Sequence, residues 1–366
     1  MPLSTIQSST TLSHRNMLIN GDLMIDQKNA AATQTGSGGT KPIDGWRQEQ
    51  SNVGQLETKV ERVTDAPANT GLIYSIRAKV KTPETSLDAT EDLNLHIKCI
   101  EGHDCQKLMY GTANAKTTTL SFWVKSSIAG TFSARIYQED GNDSISKPYT
   151  INSADTWEYK TISYPGNTLA AITDDSTCGL KIIFNISLGS NYYGGSNGDV
   201  WTANTPNLAG FGHVTNTHAT TDESTFQLTG VQFEMGHVAT PFEFRTFNEA
   251  LARCQRYYYR INANGASDER GVGFTRSTST VWIVYQFPCK MNHDPVLETS
   301  GNVTHYAINI RGGTSTCDTL PAMGSTGTTS SRVNWYVDTG EGLATGEAAG
   351  VRFANSTTFL AFEAEL

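Results

Sequence analysis

Between positions 226 and 235 the chain alternates apolar and polar residues with a single break: Phe226 and Leu228, then Val231, Phe233 and Met235. A period of two places one set of side chains on one face of a β-strand. The step from Leu228 to Val231 inserts an extra residue, and Gly230 in that gap is what a β-bulge favours. Pro241 stops the pattern. A short amphipathic segment follows, in which Phe247, Leu251, Cys254 and Tyr258 recur at roughly helical spacing while Glu249, Arg253, Gln255 and Arg256 face elsewhere. After Arg260 the composition turns to Gly, Ser and Thr. The stretch 228–260 therefore reads as the last strand of one β-domain, a connecting helix over 248–260, and the entry to a second β-domain.

The same alternation recurs upstream. Strands are expected at 55–63, 73–80, 93–100, 118–125, 131–137, 147–151, 157–164 and 179–188, separated by turns rich in Gly, Asp, Asn and Pro. The Gly/Thr-rich segment running to Thr40 reads as a loop. Many short strands without a long helix make the fold all-β, with a jelly-roll β-sandwich over 14–247. Residues 261–366 restart the pattern at 271–275, 281–287, 303–311, 332–337, 350–353 and 359–365, which predicts a second, smaller β-sandwich. VWIVYQF (281–287) is apolar enough to be central and buried on both faces, and the final alternating segment would close a sheet. Residues 1–13 are polar and form either a loose tail or an arm lying on another chain.

At 366 residues the chain suits about two domains. Only 17% of residues are charged and the net charge is −9, with no basic cluster, which argues against nucleic acid and anionic membranes as partners. The N-terminal segment lacks the apolar core of a signal peptide, and no run approaches the ~20 apolar residues that span a bilayer. Six cysteines without a framework spacing predict free thiols in a protein made in a reducing cytoplasm.

Candidate sites are aromatic. Leu120, Phe122 and Val124 share one face of their strand, which leaves Trp123 on the polar face with Ser121 and Lys125, where it stacks on a ligand, packs beneath a loop or meets another subunit. Tyr192, Tyr193 and Trp201 lie in the longest irregular stretch, 190–220. Among Gly, Ser, Asn and Asp, such rings suit a pyranose, whose CH face stacks while its hydroxyls hydrogen-bond; the alternative is that they fold inward and pin the loop or sit in a subunit contact. Tyr257, Tyr258 and Tyr259 with Arg253, Arg256 and Arg260 read as a connector helix packed on its neighbours, since a base-stacking surface needs a wider basic patch. Cys99, His103 and Cys105 have a spacing that brings three zinc ligands together, but no fourth is evident, and a strand end followed by a turn explains them more simply. No nucleophile elbow, zincin helix, Walker loop or dinucleotide fingerprint occurs, so no enzymatic activity is expected.

Several pieces taken together resemble a family of bacteriophage virion proteins, mostly tail-fibre-like proteins of marine phages: NMLINGDLMIDQ (16–27), DGW (44–46), IEG (100–102), LSFWVKSSIAGTFS (120–133), DTWEYKTI (155–162), TGVQFEMGHVATPFE (229–243) and EALARCQRYYYR (249–260). Their order and spacing cover 16–260. The opening NGDLMID…DGW and the closing FQLTGVQFE also look like the first and last strands of carbohydrate-binding jelly rolls. That likeness implies a structural calcium to which Asp22 and Asp26 would contribute, although Thr229-Gly230 stands where those modules tend to carry an acidic residue. The resemblance implies a virion protein, a homotrimeric tail fibre or receptor-binding protein that attaches to host cell-surface polysaccharide and docks to other tail or virion proteins through its N-terminal arm. It would be made in the host cytoplasm, with no membrane insertion. A capsid decoration or head fibre without a receptor role is one alternative, and a polysaccharide depolymerase is another. The stripe of Phe247, Leu251, Cys254 and Tyr258 would be the joint between domains and between chains.

Overall fold

The computed structural model describes residues 14–28, 32–193, 195, 199–311, 313–337 and 343–365; the side chains of 95–98 are not among them, and the arm expected over 1–13 lies outside them. The chain divides into two compact units, one ending at Ala250 and the other running from Leu251 to Glu365.

The strands of the first unit are β1 (Ala32–Thr35), β2 (Gly38–Ile43), β3 (Trp46–Ser51), β4 (Glu57–Val63), β5 (Ser75–Thr82), β6 (Asp92–Glu101), β7 (Thr118–Ser126), β8 (Gly130–Gln138), β9 (Asp143–Ile151), β10 (Glu158–Tyr164), β11 (Cys178–Leu188), β12 (Thr202–Ala203) and β13 (Thr225–Met235). They form a six-stranded sheet, β1-β4-β5-β13-β7-β10, and a seven-stranded sheet, β12-β9-β8-β11-β6-β3-β2, so the all-β sandwich stands. The segment expected to be a loop up to Thr40 instead contributes β1 and β2. Its GSGGT carries no alternation to announce a strand, and pairing with β4 and β3 supplies the order.

The core lies between the two sheets, where Phe122 meets Phe184 edge-on at 4.9 Å and Phe132 meets Phe226 at 5.6 Å. Phe226, Leu228, Val231 and Phe233 are all buried there. They stay on one face across the break because Gly230, at φ +58°, forms the bulge: Thr229 opposes Trp123 while Gln232 opposes Ser121, three steps against two. The segment after His14 is not a strand but lies along β13. Asn16 Nδ2 donates to Val231 O and Asn16 Oδ1 accepts from Phe233 N, both at 3.1 Å, while the Met17 amide donates to Phe233 O at 2.9 Å. Asn20 similarly holds Ile25 and Asp44 through their backbone groups, and Trp46 Nε1 donates to Asn20 O at 3.1 Å. The motifs NMLINGD and DGW are thus structural fastenings of the opening chain to the core.

One expectation fails between β6 and β11. Cys99 and Cys178 are joined by a disulfide, and Cys105, Cys254, Cys289 and Cys317 remain thiols. Spacing alone gives no hint of it because the partners are 79 residues apart and are brought together only by sheet pairing.

In the second unit, helix α1 (Phe247–Gln255), which begins in the first unit, ends well short of 260. Tyr258–Asn262 is a strand, β14, paired with the C-terminal strand, as suits a run of aromatic and β-branched residues. Then follow β15 (Asp268–Thr275), β16 (Thr280–Gln286), β17 (Val296–Thr299), β18 (Tyr306–Ile310), β19 (Gly313–Thr316), β20 (Ala322–Thr326), β21 (Ser330–Tyr336), β22 (Ala348–Phe353) and β23 (Phe359–Glu363). They make a three-stranded sheet, β14-β23-β17, and a seven-stranded sheet, β19-β18-β22-β15-β16-β21-β20. The strand β16 is central in its sheet but is not buried on both faces: Val281, Ile283 and Tyr285 enter the core, whereas Val284 is 56% exposed and Trp282 lies on the outer side with it. The last strand, β23, lies between two others rather than at a sheet edge.

Candidate functional site

The outer face of the six-stranded sheet carries an open groove of about 870 Å³. Alternation puts Trp123 of β7 on this face, and pairing with β10 sets Tyr159 directly opposite it; their rings lie 5.3 Å apart, inclined by 50°. The next outward positions on β10 are Thr161 and Ser163, which oppose Ser121 and Thr119. Thr70 and Thr119 also line the groove, but their hydroxyls donate to Pro67 O and Gly236 O, so the exposed Thr161 and Ser163 supply the hydroxyls that border the aromatic floor. Gly230 lies under Trp123. A Cβ there would come within 3.2 Å of Trp123 Cδ1 and 2.8 Å of Leu72 Cδ1, so the bulge glycine lets the indole lie close to the sheet.

The other wall is the segment 237–244, which follows β13 and includes His237, Pro241, Phe242 and Phe244. Its position is set by side chains of the strand it leaves. Glu234 accepts from both the amide and the hydroxyl of Thr240, at 2.8 and 2.6 Å, and Gln232 Oε1 accepts from the Glu243 amide at 2.8 Å. Glu243 in turn accepts the amides of His14 and of Asn16, and Arg245 donates to Asn16 O at 2.9 Å. Partial burial works to raise the Glu243 carboxyl, but those amides and the nearby Arg245 hold it below the usual carboxylate range. Phe242 and Phe244 pack edge-on at 5.0 Å, and Phe244 remains half exposed at the groove.

Of the aromatic residues singled out from the sequence, only Trp123 lines this groove. Trp201 is 9% exposed and belongs to the core. Its Nε1 donates to Pro165 O at 2.7 Å and its ring meets Tyr110 edge-on, so it pins the long loop instead of presenting a face to a ligand. Tyr192 is half-buried, with its hydroxyl donating to Thr90 O at 3.0 Å, and Tyr193 is half-buried beside it. Neither lines the groove. Tyr159, Phe242 and Phe244 were missed. The position of Tyr159 follows from the β7–β10 register, which no local pattern in the sequence displays.

The acidic pair Asp22 and Asp26 does not form a cation cage. Asp22 Oδ1 caps the Met24 amide at 3.4 Å, and its carboxyl is raised above the usual range by burial. Asp26 stands 3.2 Å from the Arg62 guanidinium, which already supplies a positive charge to this carboxylate, so the donor set fits a calcium ion poorly. Cys99 is consumed by its disulfide, which removes it from any zinc set with His103 and Cys105; His103 pairs instead with Asp174 at 2.6 Å. Among the described residues no group of three or more His, Cys, Asp or Glu converges as a metal site. In the connector stripe, Cys254 and Tyr258 are buried and Leu251 half-buried, but Phe247 is 55% exposed. Tyr258 donates to Glu298 at 3.1 Å, a contact within the second unit.

No family model matches the chain, and no curated protein matches it. Among solved structures, the enzymatically active domain of tailspike protein 4 of bacteriophage CBA120 is similar at 14% identity and a TM-score of 0.32, covering 60% of this chain and 21% of the other. The family 11 carbohydrate-binding module of a Clostridium thermocellum cellulosomal cellulase is similar at 11% identity and a TM-score of 0.28, covering 57% and 98%. A xylan-binding CBM22-2 domain from Paenibacillus barcinonensis is similar at 13% identity and a TM-score of 0.27, covering 53% and 93%. The chain thus spans about a fifth of the length of that tailspike domain.

Proposed function

We propose that the first unit is a glycan-binding module whose site is the groove floored by Trp123 and Tyr159. The observation that carries this reading is the pair itself, two rings in register on the solvent face of a sheet with the exposed Thr161 and Ser163 in the same lining. A pyranose offers an apolar CH face to such rings while its hydroxyls bond to the rim. Hydrolysis would need two carboxylates flanking a glycosidic bond. The described residues lining the groove include no Asp or Glu, which supports binding without cleavage.

On its sequence resemblance to phage tail-fibre-like proteins, we place this module on a virion, where it attaches the particle to host surface polysaccharide. Several copies in one assembly, a homotrimer in our reading, would multiply a weak single-site affinity. A glycan array probed with the full chain, followed by titration calorimetry on the best neutral oligosaccharide, tests the proposal. Trp123→Ala should weaken binding by about tenfold or more, roughly 1.4 kcal/mol, with the melting temperature little changed. Retention of full affinity by that variant would refute the site. A monomeric mass by light scattering at working concentration would refute the trimer alone.

A further inference from the structure

The second unit carries a separate aromatic surface on the outer face of its seven-stranded sheet. Trp282 of β16 opposes Phe274 of β15 on one side and Asn334 of β21 on the other, so the three side chains form one row across the sheet. Val272 and Val284 flank the row, 80% and 56% exposed, and Phe274 is 46% exposed. Beyond Phe274 and Val272, the facing positions on β22 are Ala348 and Gly350, which leaves a flat ledge on that side.

Two guanidinium groups stack on the indole. Arg332 lies 4.0 Å and Arg276 lies 5.1 Å from the Trp282 ring centroid. Among the described residues neither is paired with a carboxylate. Arg332 spends one donor, Nη2, on Gly324 O at 2.7 Å, and its Nε is buried without a partner, which leaves the remaining guanidinium N–H groups to meet a ligand. The chain as a whole carries a net charge of −9. Two cations that have no carboxylate partner among the described residues, gathered on one ring, form a local site for an anion, and a guanidinium suits a carboxylate or a sulfate. The surrounding ledge is apolar and flat, which suits a ring-shaped ligand carrying that anion.

We infer that the second unit binds an anionic saccharide, with the acidic group on Arg332 and Arg276 and the sugar ring on the Trp282–Phe274 ledge. The site shares no residue with the Trp123 groove and does not depend on it. Because the described residues lining the groove include no Lys or Arg, the two sites should also differ in the ligands they accept.

The test is calorimetry of the full chain with three probes: a galacturonate tetramer, a sulfated galactan oligomer and a neutral galactan tetramer. The expected result is binding of at least one anionic probe through the second unit. It should weaken about tenfold or more in Arg332→Met and in Trp282→Ala, and fall as salt is raised, because pairs near the surface are screened. Trp123→Ala should leave it unchanged. Binding of the uronate alone identifies a carboxylate site, and binding of both anionic probes a general anion site; either supports the inference. Arg332→Lys keeps the charge without the fork and should fall between wild type and Arg332→Met, which separates lost recognition from lost folding. No binding of either anionic probe overturns the inference, as does anionic binding abolished by Trp123→Ala and insensitive to Arg332→Met. Conversion of an oligomer to monomer by Arg332→Met would assign the face to a second copy of the chain and overturn it too.

Discussion

The side-chain oxygen of Asn16 accepts the backbone amide of Phe233 at 3.1 Å, joining residues 217 apart in the chain. The same side chain donates to Val231 O, so one buried amide completes two backbone groups of β13 at the side of its bulge. Asn16→Ala would leave both groups unpaired in a dry setting, at a cost of about 1–3 kcal/mol. Urea unfolding should show the midpoint lowered. Asn16→Asp keeps the acceptor and loses the donor, so it should fall short of wild type as well. An unchanged midpoint in both variants would remove the clasp from the stability of the unit.

Gly230 is the second point of leverage on the same strand. Its φ of +58° disfavours any side chain by about 1 kcal/mol. A Cβ at this position also meets Leu72 and Trp123 at 2.8 and 3.2 Å. Gly230→Val should therefore destabilise the unit and, by lifting the indole, weaken ligand binding in the groove. A variant with a lowered melting temperature but wild-type affinity would show that the bulge does not set the ring's position.

Stability should fall with acid through two histidines. Burial pushes His213 down to about 4 and His218 down to about 3, the latter helped by the neighbouring His213. His218 bonds to Ser126 at 2.8 Å, and both rings pack on Phe132. In the unfolded chain each titrates near 6.5, so on descending from about pH 6.5 the unfolded state takes up protons first. The stability they contribute is complete above that pH and drains away towards about pH 3–4. Asp92, pushed up to about 6 mainly by burial, works in the opposite sense. The informative comparison is therefore between wild type and His218→Gln. Melting temperatures measured from pH 7.5 to pH 4.5 should converge as the pH falls, and parallel curves would contradict this account.

The Cys99–Cys178 link closes a long loop, which by chain entropy stabilises the fold by about 2–4 kcal/mol. Intact mass under non-reducing conditions should fall two hydrogens short of the reduced chain, and a reductant should lower the melting temperature. A full complement of six alkylatable thiols in the native protein would contradict the pairing.

What could be read in advance tracks the physical range of each signal. Alternation is local, so β4 to β8, β10, β11 and β13 were located to within a few residues, and even the bulge at Gly230 was visible as a phase slip. Pairing is not local. The β1 and β2 segment owes its order to its neighbours, and the cysteine bond to the β6–β11 register. The groove was half legible: Trp123 stood out as a large ring on a polar face, but Tyr159 gains meaning only as its partner across two strands. Trp201 shows the converse case, in which the sequence leaves two readings open, a ligand face or a ring that pins the loop, and the structure takes the second. Polar sequence around a ring suggested exposure, whereas Pro165 O and Tyr110 draw it into the core. In VWIVYQF an apolar run suggested two buried faces, and the guanidinium of Arg332 on Trp282 shows how a sheet can carry an aromatic residue outward.

The fastening of Asn16 to β13 and to Glu243 and Arg245 has a mechanical meaning. The chain enters the first sandwich and leaves it at one place, with hydrogen bonds between the arriving and departing segments. Tension applied between residues 14 and 245 is therefore borne first by those few bonds, in the manner of a buckle, and would peel the opening segment from β13 before loading the paired strands. The groove wall at 237–244 is part of that buckle, so a pull between residues 14 and 245 would reach the Trp123 site before it reached the core.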